Sequence, residues 1–303
     1  MSTILKDGMY PAMITFYTKE GQVDYQAAAA LTKWYAQQGC SGIFAACLSS
    51  EIFQLTLIER QKLIQTVLEA APDNMDIVAS GHTADKIDDQ IAEFKELART
   101  GVKTLVLITN RLAAPQESDE VLKCNILRIL DALPDIDFGL YEGPSPYNRL
   151  LTPELLSWCA QTERFVFLKD TCCCLEQICQ KIEAVRDTRL KIYNANSATL
   201  LESIKAGAAG ISGVMGNFHP GLYEQMIRLA KTDLPKAEIL QNLLGFSSII
   251  QYQMYPINAK YYLQLAGLPV QSLICRSRTG TLNESMRCEI EQMYRFFSNI
   301  KEI

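Results

Sequence analysis

Histidine is scarce in this 303-residue chain: there are two, His82 and His219, and no His-Glu-x-x-His spacing. A protein metal centre built on imidazole is therefore poorly supplied. The ten cysteines include no Cys-x-x-Cys pair, which removes the usual zinc-ribbon and dithiol signatures. No dense Lys/Arg run occurs and the formal net charge is -5, so nothing marks a nucleic-acid or anionic-membrane surface. The longest stretch without charge, 239–259, carries Gln241, Asn242, Gln251, Gln253, Pro256 and Asn258. Those polar groups are too many for a bilayer span, and the segment reads as a packed helix and a bend. "MSTILKDGMYPAMITF" at the start lacks the basic, apolar and small-residue succession of a signal peptide, so a cytoplasmic location is expected. Reduced thiols follow from that, and the run Cys172 to Cys174 is expected to act as small buried hydrophobes.

What the chain does contain is one pattern repeated eight times: an apolar β-rich run, a polar turn, an amphipathic stretch. The runs fall at 9–17, 42–50, 76–82, 103–110, 137–144, 165–171, 190–196 and 209–215. Continuous apolarity, in place of strict alternation, is what strands covered on both faces require, hence a parallel sheet. Between them lie helical spacings such as Leu57, Ile64, Val67, Leu68 and Ile178, Ile182, Val185. Thr56 with Glu59 forms a possible capping box, Thr152 precedes a proline at a helix start, and Gly39, Gly101 and Gly207 sit where helices should end. Eight βα units favour a closed α/β barrel of the (β/α)8 TIM type over an open sheet, and no GxGxxG follows the first run. The reading divides the chain into a barrel over 1–231 and a C-terminal helical extension over 232–303.

Reactive groups in such barrels gather at the C-terminal ends of the strands. Lys169, in "FVFLKDT", is the lysine at that end, whereas Lys103 and Lys191 open their strands. A desolvated amine is held partly neutral and can attack a carbonyl to form a Schiff base. Tyr141, on the neighbouring strand, is a phenol suited to moving protons. The residues alone leave a second reading equally open, in which Lys169 pairs with Glu51 or Asp170 and Tyr141 fills the barrel. Gly210, Gly213 and Gly216 read as tight-packing glycines ahead of a phosphate cradle.

Taken together, "CLSSEIFQLTLIER" from Cys47, "GLYEGP" around Tyr141 and "FLKDT" around Lys169 resemble the motifs of the dihydrodipicolinate synthase and N-acetylneuraminate lyase superfamily, over essentially the whole chain. The resemblance implies a class I aldolase without cofactor or metal, in which Lys169 forms an imine with pyruvate or another 2-oxo acid and Tyr141 relays protons. It implies further that Ser49 and Ser50 hold the 2-oxo acid's carboxylate, that Ser212 and Gly213 lie beside it, that an aldehyde is the second substrate, and that the enzyme is a homotetramer with no nucleic-acid or membrane partner. Four places depart from the motifs. Cys47 and Leu48 stand where the family has glycine and a hydroxyl residue. Asn110 and Arg111 occupy the place of the synthases' paired tyrosines, and Pro146 the place of an arginine, with Arg149 three residues on. A lyase or aldolase acting on a sugar-derived 2-oxo acid is the expectation, with Glu142, Arg111 and Asn194 as candidate recognisers of the aldehyde. The alternatives are a dihydrodipicolinate synthase with a substituted relay and a non-catalytic 2-oxo-acid-binding barrel.

Overall fold

The computed structural model describes residues 4–300. Eight strands alternate with eight helices: β1 Gly8–Met9, α1 Tyr25–Gln37, β2 Gly42–Ala45, α2 Leu57–Ala70, β3 Asp76–Ala79, α3 Ile87–Ala98, β4 Thr104–Ile108 and α4 Asp119–Ala132. They continue as β5 Asp137–Tyr141, α5 Pro153–Gln161, β6 Phe165–Asp170, α6 Leu175–Ala184, β7 Lys191–Asn194, α7 Leu200–Ala206, β8 Gly210–Ile211 and α8 Pro220–Thr232. All the ladders are parallel, in the order β1-β8-β7-β6-β5-β4-β3-β2. A parallel bridge, Ala12 to Phe44, joins the two ends, with the Met13 N–H donating to the Phe44 carbonyl at 3.0 Å and the Phe44 N–H to Pro11 at 3.0 Å. The result is a (β/α)8 barrel, followed by α9 Leu234–Ser247, α10 Ile257–Leu265 and α11 Glu284–Asn299.

The local signals act where expected. Thr56 and Glu59 form a reciprocal capping box on α2, and the Thr152 hydroxyl accepts from Leu155 N–H ahead of Pro153. Gly39, Gly101 and Gly207 take φ of 80°, 88° and 113°, values that a side chain resists. The strands are shorter than the apolar runs. Beyond Ala45, Ile108 and Ile211 the chain coils into 3-10 turns or loops, since strands diverge at the rim and lose their pairing partners.

Aromatic rings fill the barrel beneath the site. Tyr10 lies 4.5 Å from Tyr193, Phe167 4.8 Å from Tyr193, and Phe44 5.7 Å from Phe167, centroid to centroid. Gly139 makes room for this packing, because a Cβ there would meet Phe167 and Val106 side chains at 3.0 Å. Side chains alternate along a strand, so Phe167 in this layer places Lys169 on the inner face one step nearer the rim.

Gly210 and Gly216 of "GISGVMG" are packing residues. At Gly210 a Cβ would stand 1.9 Å from the Gly8 carbonyl oxygen, and at Gly216 2.2 Å from Met9 Cε. Since the obstacle at Gly210 is backbone of a paired strand, it cannot move without opening the β1-β8 seam. Gly210→Ala is expected to cost at least about 3 kcal/mol of stability, read from chemical denaturation; a loss under about 1 kcal/mol would mean that the seam yields.

Candidate active site

Lys169 is the penultimate residue of β6, beside Tyr141, its register partner on β5. Its side chain is 3% exposed, and its Nζ stands 4.6 Å from the Tyr141 ring centroid and 5.5 Å from that of Phe44. The carboxylates that offered it an ion pair are occupied elsewhere. Glu51 pairs with Lys260 at 3.2 Å and accepts from the Ser277 N–H and hydroxyl, while Asp170 pairs with Lys181 at 2.7 Å. Among the described residues Lys169 has no ion pair, which rules out its structural reading as a salt-bridge lysine. Burial lowers its pKa below the usual lysine range, and the Cys47 thiol opposes this.

A depressed lysine pKa has a linked cost. Between the folded and unfolded pKa values the unfolded chain binds the extra proton, so the penalty is full below the folded value and fades as pH rises toward the unfolded one. Lys169→Met should therefore melt higher than the native chain at pH 7, with the gap closing as pH rises toward 10. Thermal melts across pH check this, and equal melting temperatures at pH 7 would contradict it.

Tyr141 is 4% exposed and lies edge-on to Phe44 at 5.5 Å. Burial, then the Cys47 thiol, push its phenol well above the usual tyrosine range, so it holds its proton at neutral pH. Ser49 and Ser50 lie in a 3-10 turn after β2, beyond the paired strand. The Ser50 hydroxyl ties that turn to the segment after β1, donating to the Met13 carbonyl at 2.5 Å and accepting from Cys47 N–H at 3.1 Å. Ser49 is half-buried. Ser212 and Gly213 follow β8, and the buried Ser212 hydroxyl has no hydrogen-bond partner among the described residues.

The candidate recognisers of a second substrate are committed elsewhere. Glu142 is fully buried, against Lys181 at 2.5 Å. Arg111 pairs with Asp85 and the Thr83 carbonyl, and the Asn194 amide donates to Thr199 and Ser203. Asn194, at the end of β7, meets α7, and Glu142, one residue beyond β5, meets α6, which apolar patterning does not distinguish. Asn110 organises the loop after β5, donating to the Gly143, Ser145 and Tyr147 carbonyls. Arg149 is held by Asp119 and the Ala114 and Glu117 carbonyls. Nor are all cysteines of the 172–174 run buried: Cys173 is exposed and its neighbours partly so, because the run forms the loop after β6 and not the strand.

Two contributors escaped the sequence reading. Tyr255, just before α10, accepts from Asn217 Nδ2 at 3.2 Å. Asn217 in turn accepts from Tyr35 at 2.6 Å and donates to the Ala12 carbonyl at 2.9 Å. Burial raises the Tyr255 phenol, with a Ser49 hydrogen bond opposing and the Cys47 and Tyr141 groups adding to it. No local pattern marks Tyr255, since only the return of the C-terminal segment over the barrel brings it there. Lys181 carried a signal, a lysine set among Ile178, Ile182 and Val185 on the apolar stripe of α6.

A (β/α)8 barrel with a buried lysine, unpaired among the described residues, beside a tyrosine at the strand ends holds the groups that an imine-forming lyase would use. The model of the dihydrodipicolinate synthetase family matches residues 6–295, and the chain belongs to that family, whose members are lyases. A 4-hydroxy-tetrahydrodipicolinate synthase of Prochlorococcus marinus is 27% identical over 305 residues, covering 96% of this chain and 94% of that one. Among solved structures, a dihydrodipicolinate synthase from Bacillus anthracis superposes with a TM-score of 0.87 at 20% identity, covering 97% of this chain and 99% of that one. A prophage protein of the same family from Escherichia coli K12, solved in complex with pyruvate, gives 0.86 at 19% identity, over 96% and 98% of the two chains. Among the described residues no helix is long and apolar enough to cross a membrane.

Proposed function

We propose that this chain is a class I aldolase that joins a 2-oxo acid, pyruvate or a close relative, to an aldehyde, or cleaves the product. The observation that carries this reading is the Lys169 amine, buried, unpaired with any carboxylate and 4.6 Å from the Tyr141 ring. The neutral amine adds to the ketone carbon, and loss of water from the carbinolamine gives an imine. Protonated, the imine draws electrons from C3, which loses a proton to give an enamine. The enamine carbon then attacks the aldehyde carbon, the new alkoxide takes a proton, and water releases the product and regenerates the amine. Tyr141, a neutral phenol at physiological pH, carries protons between these oxygens and the nitrogen.

Ser49 and the unpartnered Ser212 hydroxyl are the groups assigned to the 2-oxo acid, with Gly213 beside them; Ser50 supports them by fixing the turn. The pyruvate complex of the Escherichia coli family member supports a 2-oxo acid here. A sugar-derived, uncharged aldehyde fits better than one with a carboxylate, because Arg111 and Arg149 are both held in ion pairs. The synthase reading rests on the name of the Prochlorococcus relative. Incubation with pyruvate and borohydride, followed by intact mass, should show one reduced adduct, and its absence would sink the aldolase reading. A panel of neutral sugar aldehydes against aspartate semialdehyde then separates the two substrates, with faster turnover of the semialdehyde favouring the synthase. A homotetramer and a cytoplasmic location belong to the same proposal, and sedimentation velocity tests the first.

A further inference from the structure

Behind the Lys169-Tyr141 pair lies a second constellation, on the outer face of the same two strands. Alternation turns the residue after each catalytic side chain outward, and here both are carboxylates, Glu142 after Tyr141 and Asp170 after Lys169. Lys181 reaches them from α6, at 2.5 Å to Glu142 Oε1 and 2.7 Å to Asp170 Oδ2, and none of the three side chains is more than 2% exposed. The remaining acceptors are satisfied. Glu142 accepts the N–H groups of Leu151 at 2.8 Å and Thr171 at 3.0 Å, and Asp170 accepts that of Cys172 at 3.1 Å. The Thr171 hydroxyl donates to the Glu142 carbonyl at 2.6 Å, and the Glu142 N–H to the Lys169 carbonyl at 3.3 Å.

Burial lowers Lys181, but the Glu142 and Asp170 charges outweigh it and keep the ammonium charged; burial, then Asp170, push Glu142 up to about 7 against the pull of Lys181. As a device for stability such a cluster is poor, because well-packed apolar side chains of similar volume often serve as well or better. Its placement gives it another use. It crosslinks β5 and β6 one residue beyond the register pair Tyr141 and Lys169, and anchors both strand ends to one helix.

We propose that Lys181 is a positioning residue: acting through Glu142 and Asp170, it holds the Tyr141 phenol and the Lys169 amine in mutual register. It touches neither substrate nor reacting atoms. The proposal rests on the Schiff-base reading above.

The test uses pyruvate alone, through exchange of its C3 protons for deuterium followed by NMR, a reaction that needs imine and enamine formation but no aldehyde. Two variants are compared with the native chain: Lys181→Met, and the charge-free Glu142→Gln/Asp170→Asn/Lys181→Met. For each, kcat and KM of exchange are measured with the melting curve and the borohydride adduct. A misplacement of about 1 Å costs on the order of 100-fold in rate, so kcat should fall roughly 10- to 100-fold in both variants. KM for pyruvate should stay within about threefold and the adduct should still form. Native kcat in either variant that melts cooperatively would overturn the proposal, as would a loss that only tracks the unfolded fraction. If Lys181→Met fails to fold, leaving two buried carboxylates unpaired, the charge-free variant decides by the same criteria. Failure of the native chain to give adduct or exchange would strike the Schiff-base reading itself, a distinguishable result.

Discussion

Lys169→Ala is expected to yield no borohydride-trapped adduct with pyruvate and to lower turnover by at least about a thousandfold. On the proposed mechanism, removal of the covalent nucleophile leaves only the catalysis that binding and neighbouring dipoles provide, so losses of this size or larger are the rule. Among the described residues the other two buried lysines are held elsewhere. Lys181 is held by two carboxylates on the outer side of the strands, and Lys260 by Glu51 and the Ile274 carbonyl. Truncation removes no ion pair, so the variant should fold and the loss is one of chemistry. Intact mass spectrometry with tryptic mapping is the measurement. The same adduct mass in the variant, or a modified peptide lacking residue 169, would move the nucleophile elsewhere.

Tyr141→Phe should separate binding from proton transfer. The ring and its edge-on contact with Phe44 survive the substitution, and only the hydroxyl is lost. Imine formation needs the amine first, so the adduct should still be trapped. Carbinolamine dehydration and protonation of the new alkoxide both need a positioned acid, and such transfers contribute roughly a hundred- to ten-thousandfold. Pyruvate C3 exchange should therefore fall within about that range while KM changes little. Because burial keeps the phenol protonated, the native profile should show no loss attributable to Tyr141 across neutral pH. Exchange at the native rate in the variant would remove Tyr141 from the mechanism, and attention would pass to Tyr255, whose phenol the Asn217 amide already holds.

The sequence by itself determined the architecture and singled out the proposed reacting pair. Eight apolar runs, with Thr56, Thr152, Gly39, Gly101 and Gly207 as punctuation, specify a parallel barrel because caps, left-handed turns and two-sided burial are local requirements read from adjacent residues. Lys169 and Tyr141 were legible for the same reason: a lysine after Phe165, Val166, Phe167 and Leu168, and a tyrosine ending the preceding strand, violate or complete a local pattern.

Only the tertiary structure decided which charges were free. Glu51, Asp170, Glu142 and Arg111 look equally available on paper, and their partners Lys260, Lys181 and Asp85 lie 209, 11, 39 and 26 residues away. Strand polarity fixes which residues reach the rim, but which face they occupy depends on bends and bulges, such as the register shift at Phe138/Gly139. Tyr255 reaches Ser49 and Tyr141 through the path of the C-terminal segment, which no periodicity encodes. Neighbours along the chain can set a nucleophile on its strand; whether its amine stays unpaired depends on where distant charges are spent, and that is settled when the barrel closes.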